Sequence, residues 1–119
     1  MGMRTACVAI FLTVGSLGVG FAAPRPCEEP TSYLQALCHY RQKVWVEAEA
    51  GFSGIVDLGV ESPETIRSLY FRARTRMRLK RWNEASADLI RIYRLDPPFF
   101  QEWNGDFLLG ECRRMSGKD

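Results

Sequence analysis

The chain reads as an all-α protein, a short α-solenoid of antiparallel helix–turn–helix units. Three observations predict this. A block around Trp45 recurs around Trp82 in a register of 37 residues. Apolar side chains within each block fall at three- and four-residue steps, the period of a helix with one buried face. Proline closes or opens the segments, at Ser62-Pro63-Glu64 and at Leu95-Asp96-Pro97-Pro98, where it suits a first helical turn and cannot continue an existing one.

Residues 1–22 stand apart. MGMR supplies one positive charge, and the chain then runs uncharged from Thr5 to Ala23. Gly20 and Ala22 are the small residues that a signal peptidase needs, so this segment reads as a signal peptide cut after about Ala22. An uncleaved anchor is the competing reading, because the uncharged run could just span about 30 Å of hydrocarbon. Gly15, Ser16, Gly18 and Gly20 dilute its second half. Cys27 follows Pro-Arg-Pro rather than a lipoprotein box, and Cys7 comes too early for one.

After an arm over 23–31, the helical domain is expected over 32–119. The first unit, about 29–62, predicts helices over Thr31–Lys43 and Val46–Val56. The second, about 63–99, predicts helices over Glu64–Leu79 and Asn83–Arg94, with Asn83 as N-cap of the latter. A capping helix over about 100–117 completes an expected set of about five. Within the register Tyr33 matches Tyr70, Ala36 matches Ala73, Trp45 matches Trp82, Glu47 matches Glu84 and Ala48 matches Ala85. Phe52 matches Leu89, and Ile55 matches Ile92. Gly51 and Gly54, inside the second helix, each cost about 1 kcal/mol of helix propensity.

These residues resemble the tetratricopeptide repeat, whose unit of about 34 residues pairs two antiparallel helices. The segment ARTRMRLKRWNEASADLIRIYRLDP carries the resemblance most strongly, through Ala73, Trp82, Ala85, Leu89 and Pro97. The first unit keeps Ala36, Trp45, Ala48 and Phe52 but has three extra residues in DLGVESPE. FLLGECRRMSGKD resembles the leading helix of a third unit, with Leu109-Gly110 at its small-residue site. Two and a half units fall short of the three such arrays usually need. Support is therefore expected from a partner, from self-association or from a disulfide near the N-terminus.

The resemblance also implies a concave groove lined by the leading helices. Carried over residue by residue, its lining would be Tyr33, Leu37, Tyr40 and Arg41 from the first unit. The second would add Arg67, Tyr70, Arg74, Met77 and Arg78, and the terminal helix Phe107, Glu111, Arg114 and Met115. Guanidinium donors over an aromatic floor suit a peptide or protein segment carrying carboxylates. The competing reading is a solvated helix face, in which Arg67, Arg72, Arg74, Arg76, Arg78, Lys80 and Arg81 pair partly with Glu47, Glu49, Glu84 and Asp88. The lysines and asparagines of the carboxylate-clamp subclass are not reproduced.

Charge and chemistry bound the remaining functions. The chain has 16 basic and 14 acidic residues, for a net charge of +2. Loss of residues 1–22 removes only Arg4 among them, so the remainder is near neutral and argues against nucleic-acid binding. His39 is the only histidine, and a packed structural role is expected for it. Gly51-Phe52-Ser53-Gly54 lacks the spacing of a nucleophile elbow and sits mid-helix. Cys27, Cys38 and Cys112 form no Cys-x-x-Cys pair, so no zinc or redox motif is visible. Cys38 and Cys112 fall on leading helices on the order of 20 Å apart, from 8–10 Å per packed helix, too far to bridge. Cys27–Cys38 is the one sensible disulfide, against the alternative of three reduced thiols.

A non-catalytic interaction scaffold in the periplasm or secreted is therefore expected, with no cofactor, metal or nucleic acid and no stable membrane insertion after cleavage. Docking onto a larger complex by the convex face or by exposed Phe99, Phe100 and Trp103 is the alternative within that class. A thiol-dependent redox or small-molecule-binding protein using Cys27 or Cys112 is the alternative outside it.

Overall fold

A computed structural model describes residues 25–118. The leader and its cleavage site lie outside the described residues. Within them the chain is all-helical: α1 (Ser32–Arg41), α2 (Trp45–Val56), α3 (Pro63–Arg78), α4 (Trp82–Leu95), α5 (Pro97–Glu102) and α6 (Gly105–Ser116). Consecutive helices pack on one another, and α1 also touches α3 while α4 also touches α6. None of these helices is long and apolar enough to cross a membrane.

Local chemistry explains most helix ends. Thr31 caps α1 by accepting a hydrogen bond from the Leu34 N–H. Ser62 caps α3 in the same way for Thr65, with Pro63 in the first turn. The cap of α4 falls on Arg81, which makes no side-chain capping bond, and not on Asn83. Arg81 instead spends its guanidinium on Glu49 and Glu84. Asn83 sits one residue inside the helix, because Trp82 is already its first residue.

The α1–α2 and α3–α4 turns are built alike. Lys43 and Lys80 take left-handed backbone, with φ of 63° and 62°. Val44 N–H reaches the His39 carbonyl and Lys43 N–H that of Tyr40; Arg81 and Lys80 repeat this with Arg76 and Met77. This is a Schellman C-cap with lysine where glycine is usual. The following Ala48 N–H bonds to Val44, and Ala85 N–H to Arg81. Nine positions marked by the register, Ala36, Ala48, Phe52, Ile55, Tyr70, Ala73, Ala85, Leu89 and Ile92, are buried. Trp45 and Trp82 are half-buried beside the turns.

Two clusters form the core. Ala36, Leu37, Ala48 and Phe52 fill the α1–α2 layer. Leu69, Tyr70, Ala73, Leu89, Ile92, Phe100, Leu108 and Cys112 belong to a larger one spanning α3 to α6. Phe71 packs against both. Gly51 does more than lower helix propensity: a Cβ there would lie 2.7 Å from the Ala36 Cβ, so its absence lets α1 and α2 approach closely.

The C-terminal region departs from expectation. Among the described residues six helices form where about five are expected, because the segment expected as one capping helix over 100–117 holds two. Asp96 ends α4 and at once caps α5, its carboxylate accepting from the Phe99 N–H, with Pro97 and Pro98 in the first turn. Asn104, at φ 59°, then redirects the chain into α6. Gly105 is buried against the Phe100 ring, with no room for a Cβ. Phe100 is buried, and Phe99 stacks on Trp103 with centroids 4.6 Å apart. The expectation that Phe99, Phe100 and Trp103 project outward for docking is therefore not met; they seat α5 on the core.

Cys27 and Cys38 are joined, with Cα atoms 5.8 Å apart. The bridge ties the arm to α1, helped by Gln35 donating to the Cys27 carbonyl and Gln42 to that of Arg25. Closing so short a loop contributes about 2–3 kcal/mol. Cys112 is free, fully buried, and its thiol pKa is raised by burial, with a hydrogen bond involving Ser86 opposing. A buried protonated thiol is a poor nucleophile. Alkylation of the native protein is expected to label none of these three cysteines. Mild reduction should expose Cys27 and Cys38, and Cys112 should react only on unfolding; peptide mass spectrometry reads all three states.

Candidate functional site

The arginines of α3 divide into two classes by helical face. Arg72 and Arg76 point into the layer between α2 and α4. The Arg72 Nε and Nη2 donate to the two Asp88 oxygens at 3.0 and 2.7 Å, and its Nη1 donates to Ser53 Oγ at 3.1 Å. Arg76 donates to Glu49 Oε2 at 2.7 Å and to Asp88 Oδ2 at 3.0 Å. Arg81 completes the network with two 2.7 Å bonds to Glu49 and one of 2.6 Å to Glu84. Burial would raise the Glu49 pKa, but the bonds from Arg76 and Arg81 outweigh it and hold the carboxyl below its usual range. For these arginines the solvated-face reading is half right: they are paired, but largely inside. Glu47 takes no part in any ion pair among the described residues.

Arg67, Arg74 and Arg78 share the other stripe, and each lies over an aromatic ring. The guanidinium carbons sit 5.5 Å from the Tyr33 centroid, 5.7 Å from that of Tyr70 and 5.5 Å from that of Trp45, in that order. Arg74 also donates to the Tyr70 hydroxyl at 2.8 Å. Burial acts to lower the Arg74 pKa, yet the contacts with Tyr70 and Tyr40 reverse this and leave it raised. Among the described residues none of the three pairs with a carboxylate.

Beneath them runs a continuous aromatic row. Trp45 meets Tyr40 edge-on at 5.5 Å, Tyr40 meets Phe71 at 5.1 Å, and Phe71 meets Tyr70 at 5.1 Å. Tyr70 then meets Trp103 at 4.9 Å. Such edge-to-face contacts add about 0.5–1.5 kcal/mol each beyond burial, so the row is stiff.

The structure therefore brings Tyr33, Tyr40, Arg67, Arg74 and Arg78 together on the α1–α3 face. Arg41, on α1, is exposed. Two other expected lining residues, Leu37 and Tyr70, are corrected. Leu37 is buried in the α1–α2 core and is not groove floor, whereas Met77 is half-buried with one side packed on the larger core. Tyr70 is only 8 % exposed, because Phe99 and Trp103 close over it. Sequence reasoning missed Phe71, Trp45 and Trp103 as members of this surface. Phe71 was within reach, since it lies four residues after Arg67 and so on the same helical face. His39 is half-buried and lines a separate hollow of about 530 Å³ between α1 and α2.

Guanidinium groups held over rings keep N–H donors for a ligand, apart from the Arg74 Nη1 that bonds the Tyr70 hydroxyl. Each cation–π contact is worth about 0.5–1 kcal/mol where exposed, enough to fix orientation without consuming the donors. A carboxylate can then be held by two parallel bonds.

The chain matches no protein-family model, no curated protein and no solved structure.

Proposed function

We propose that this protein is a non-catalytic interaction scaffold that binds an acidic peptide or protein segment on the α1–α3 face. The observation that carries the reading is the segregation of arginines on one helix. Arg72 and Arg76 are neutralised by Asp88 and Glu49, while Arg67, Arg74 and Arg78 are held over Tyr33, Tyr70 and Trp45 and form no ion pair among the described residues. Uncompensated cations on an ordered aromatic floor favour an anionic partner.

The reading includes a tetratricopeptide-like array, with α1–α2 and α3–α4 as units and α6 as the leading helix of a third. Its support is the shared Schellman turn at Lys43 and Lys80 and the buried small residues Ala36, Ala73, Ala48 and Ala85. Export to the periplasm or beyond is part of the same proposal, supported by the uncharged run that follows Arg4 and by the Cys27–Cys38 bridge, which belongs in an oxidising compartment.

The test pairs a defined probe with an undirected one. Labelled peptides rich in Asp and Glu should bind the protein by anisotropy, more weakly as salt rises, and Lys-rich peptides of equal length should not. Arg74→Glu/Arg78→Glu should lose at least about tenfold in affinity with an unchanged helical spectrum. It should also lose partners recovered from an envelope extract. Equal binding of acidic and basic peptides, or unchanged partners in the double variant, would sink the reading.

A further inference from the structure

We infer that α6 is a dimerisation helix, which pairs antiparallel with α6 of a second copy of this chain. Asp106, Leu109, Gly110 and Arg113 form one stripe on α6 by their helical spacing. In the 37-residue register they correspond to Leu69, Arg72, Ala73 and Arg76 on α3. Those four carry α4: Leu69 and Ala73 are fully buried, and Arg72 and Arg76 bond Asp88. On α1 the corresponding Ala36 presses against Gly51 of α2.

On α6 the same stripe is uncovered. Asp106, Gly110 and Arg113 are exposed, Leu109 is half-buried with one side packed on the larger core, and a Cβ built on Gly110 would meet nothing within 4 Å. Neither Asp106 nor Arg113 has an ion-pair partner among the described residues. Between α4 and α6 lies a groove of about 470 Å³, floored by Phe100 and flanked by Ile90 and Tyr93. Tyr93 is 56 % exposed.

The stripe is complementary to itself. With a twofold axis passing between Leu109 and Gly110, antiparallel pairing sets Asp106 against Arg113 of the second copy, and Arg113 against its Asp106. Leu109 of each copy then enters the gap left by Gly110 of the other. An isologous interface demands this arrangement, in which one patch supplies both halves of every contact. Opposite charges at the two ends of the stripe fix the antiparallel sense, since parallel pairing would oppose like charges. A contact built on one helix of 12 residues and its flanks is small, so the dimer is expected to be of micromolar strength. This inference is independent of what the α1–α3 face binds.

Sedimentation velocity from about 1 to 200 μM spans that range. The protein should pass from monomer to dimer across it. Asp106→Arg and Arg113→Asp should each weaken the dimer at least about tenfold, and combining them should restore it. Gly110→Leu should not lower the thermal melt of the monomer, because its side chain enters open space and leucine favours the helix, and should abolish dimerisation. A monomer at every concentration overturns the inference. So does a dimer indifferent to these changes, or a double exchange that fails to recover.

Discussion

Replacing Asp88 with alanine is expected to remove about 3–5 kcal/mol of folding stability. Asp88 is 3 % exposed and accepts three guanidinium bonds, two from Arg72 and one from Arg76. Its loss strands the Arg72 cation, itself buried, with only the Ser53 hydroxyl for a partner. An uncompensated charge in that position costs more than the ion pair had contributed, which is why removal of one member is so damaging. Domains of this size have about 5–15 kcal/mol in total, so the variant should approach the limit of folding. Denaturant titration against Arg67→Ala provides the contrast. That side chain lies on the outer stripe over Tyr33 and should cost no more than about 1 kcal/mol.

The same network sets the acid limb of stability. The Glu49 pKa is lowered in the folded state, so its contribution is complete above the unfolded carboxylate value of about 4.3. It is lost as pH falls through the lowered folded value. Glu49→Gln should therefore flatten the decline in stability below about pH 4.3, when compared with the parent protein.

The α1–α2 and α3–α4 hairpins were legible because tryptophan, alanine and apolar spacing recur in one register, and a helix period needs nothing beyond local sequence. The two arginine stripes were equally readable, since positions 67, 74 and 78 fall on one face of α3 and 72 and 76 on another. What no local pattern contains is the convergence of Arg72, Arg76 and Arg81 on Asp88 and Glu49, which come from α4 and α2. The hidden α5 had a signal that was read only one way. Asp96-Pro97-Pro98 stops α4, but a capping side chain followed by proline is also a helix start, as Ser62-Pro63 is for α3. Missing α5 had a consequence for the site: Phe99 and Trp103 cover Tyr70, which sequence reasoning had left open to a ligand.

Phe52→Ala is expected to cost about 3–5 kcal/mol, and to weaken acidic-peptide binding without altering any residue on the binding face. Phe52 is fully buried between α1 and α3, tilted against Tyr33 at 6.2 Å and stacked on Phe71 at 5.8 Å. Phe71 is the link between Tyr40 and Tyr70, hence between the rings of the two units. Removing the ring beneath it leaves a cavity that only a shift of Phe71 can close, and such a shift carries Tyr40 and Tyr70 with it. The buried cluster around Phe52 holds only Ala36, Leu37 and Ala48 besides Phe52 itself, so little else can collapse inward. Phe52→Leu should cost substantially less, because Leu89 occupies the corresponding place in the second unit, fully packed. Calorimetry should show the melting temperature of Phe52→Ala falling by at least about 12 °C. Anisotropy below that transition should show a parallel loss of affinity. A stable Phe52→Ala that still bound acidic peptide normally would mean that the aromatic row does not support the arginine stripe.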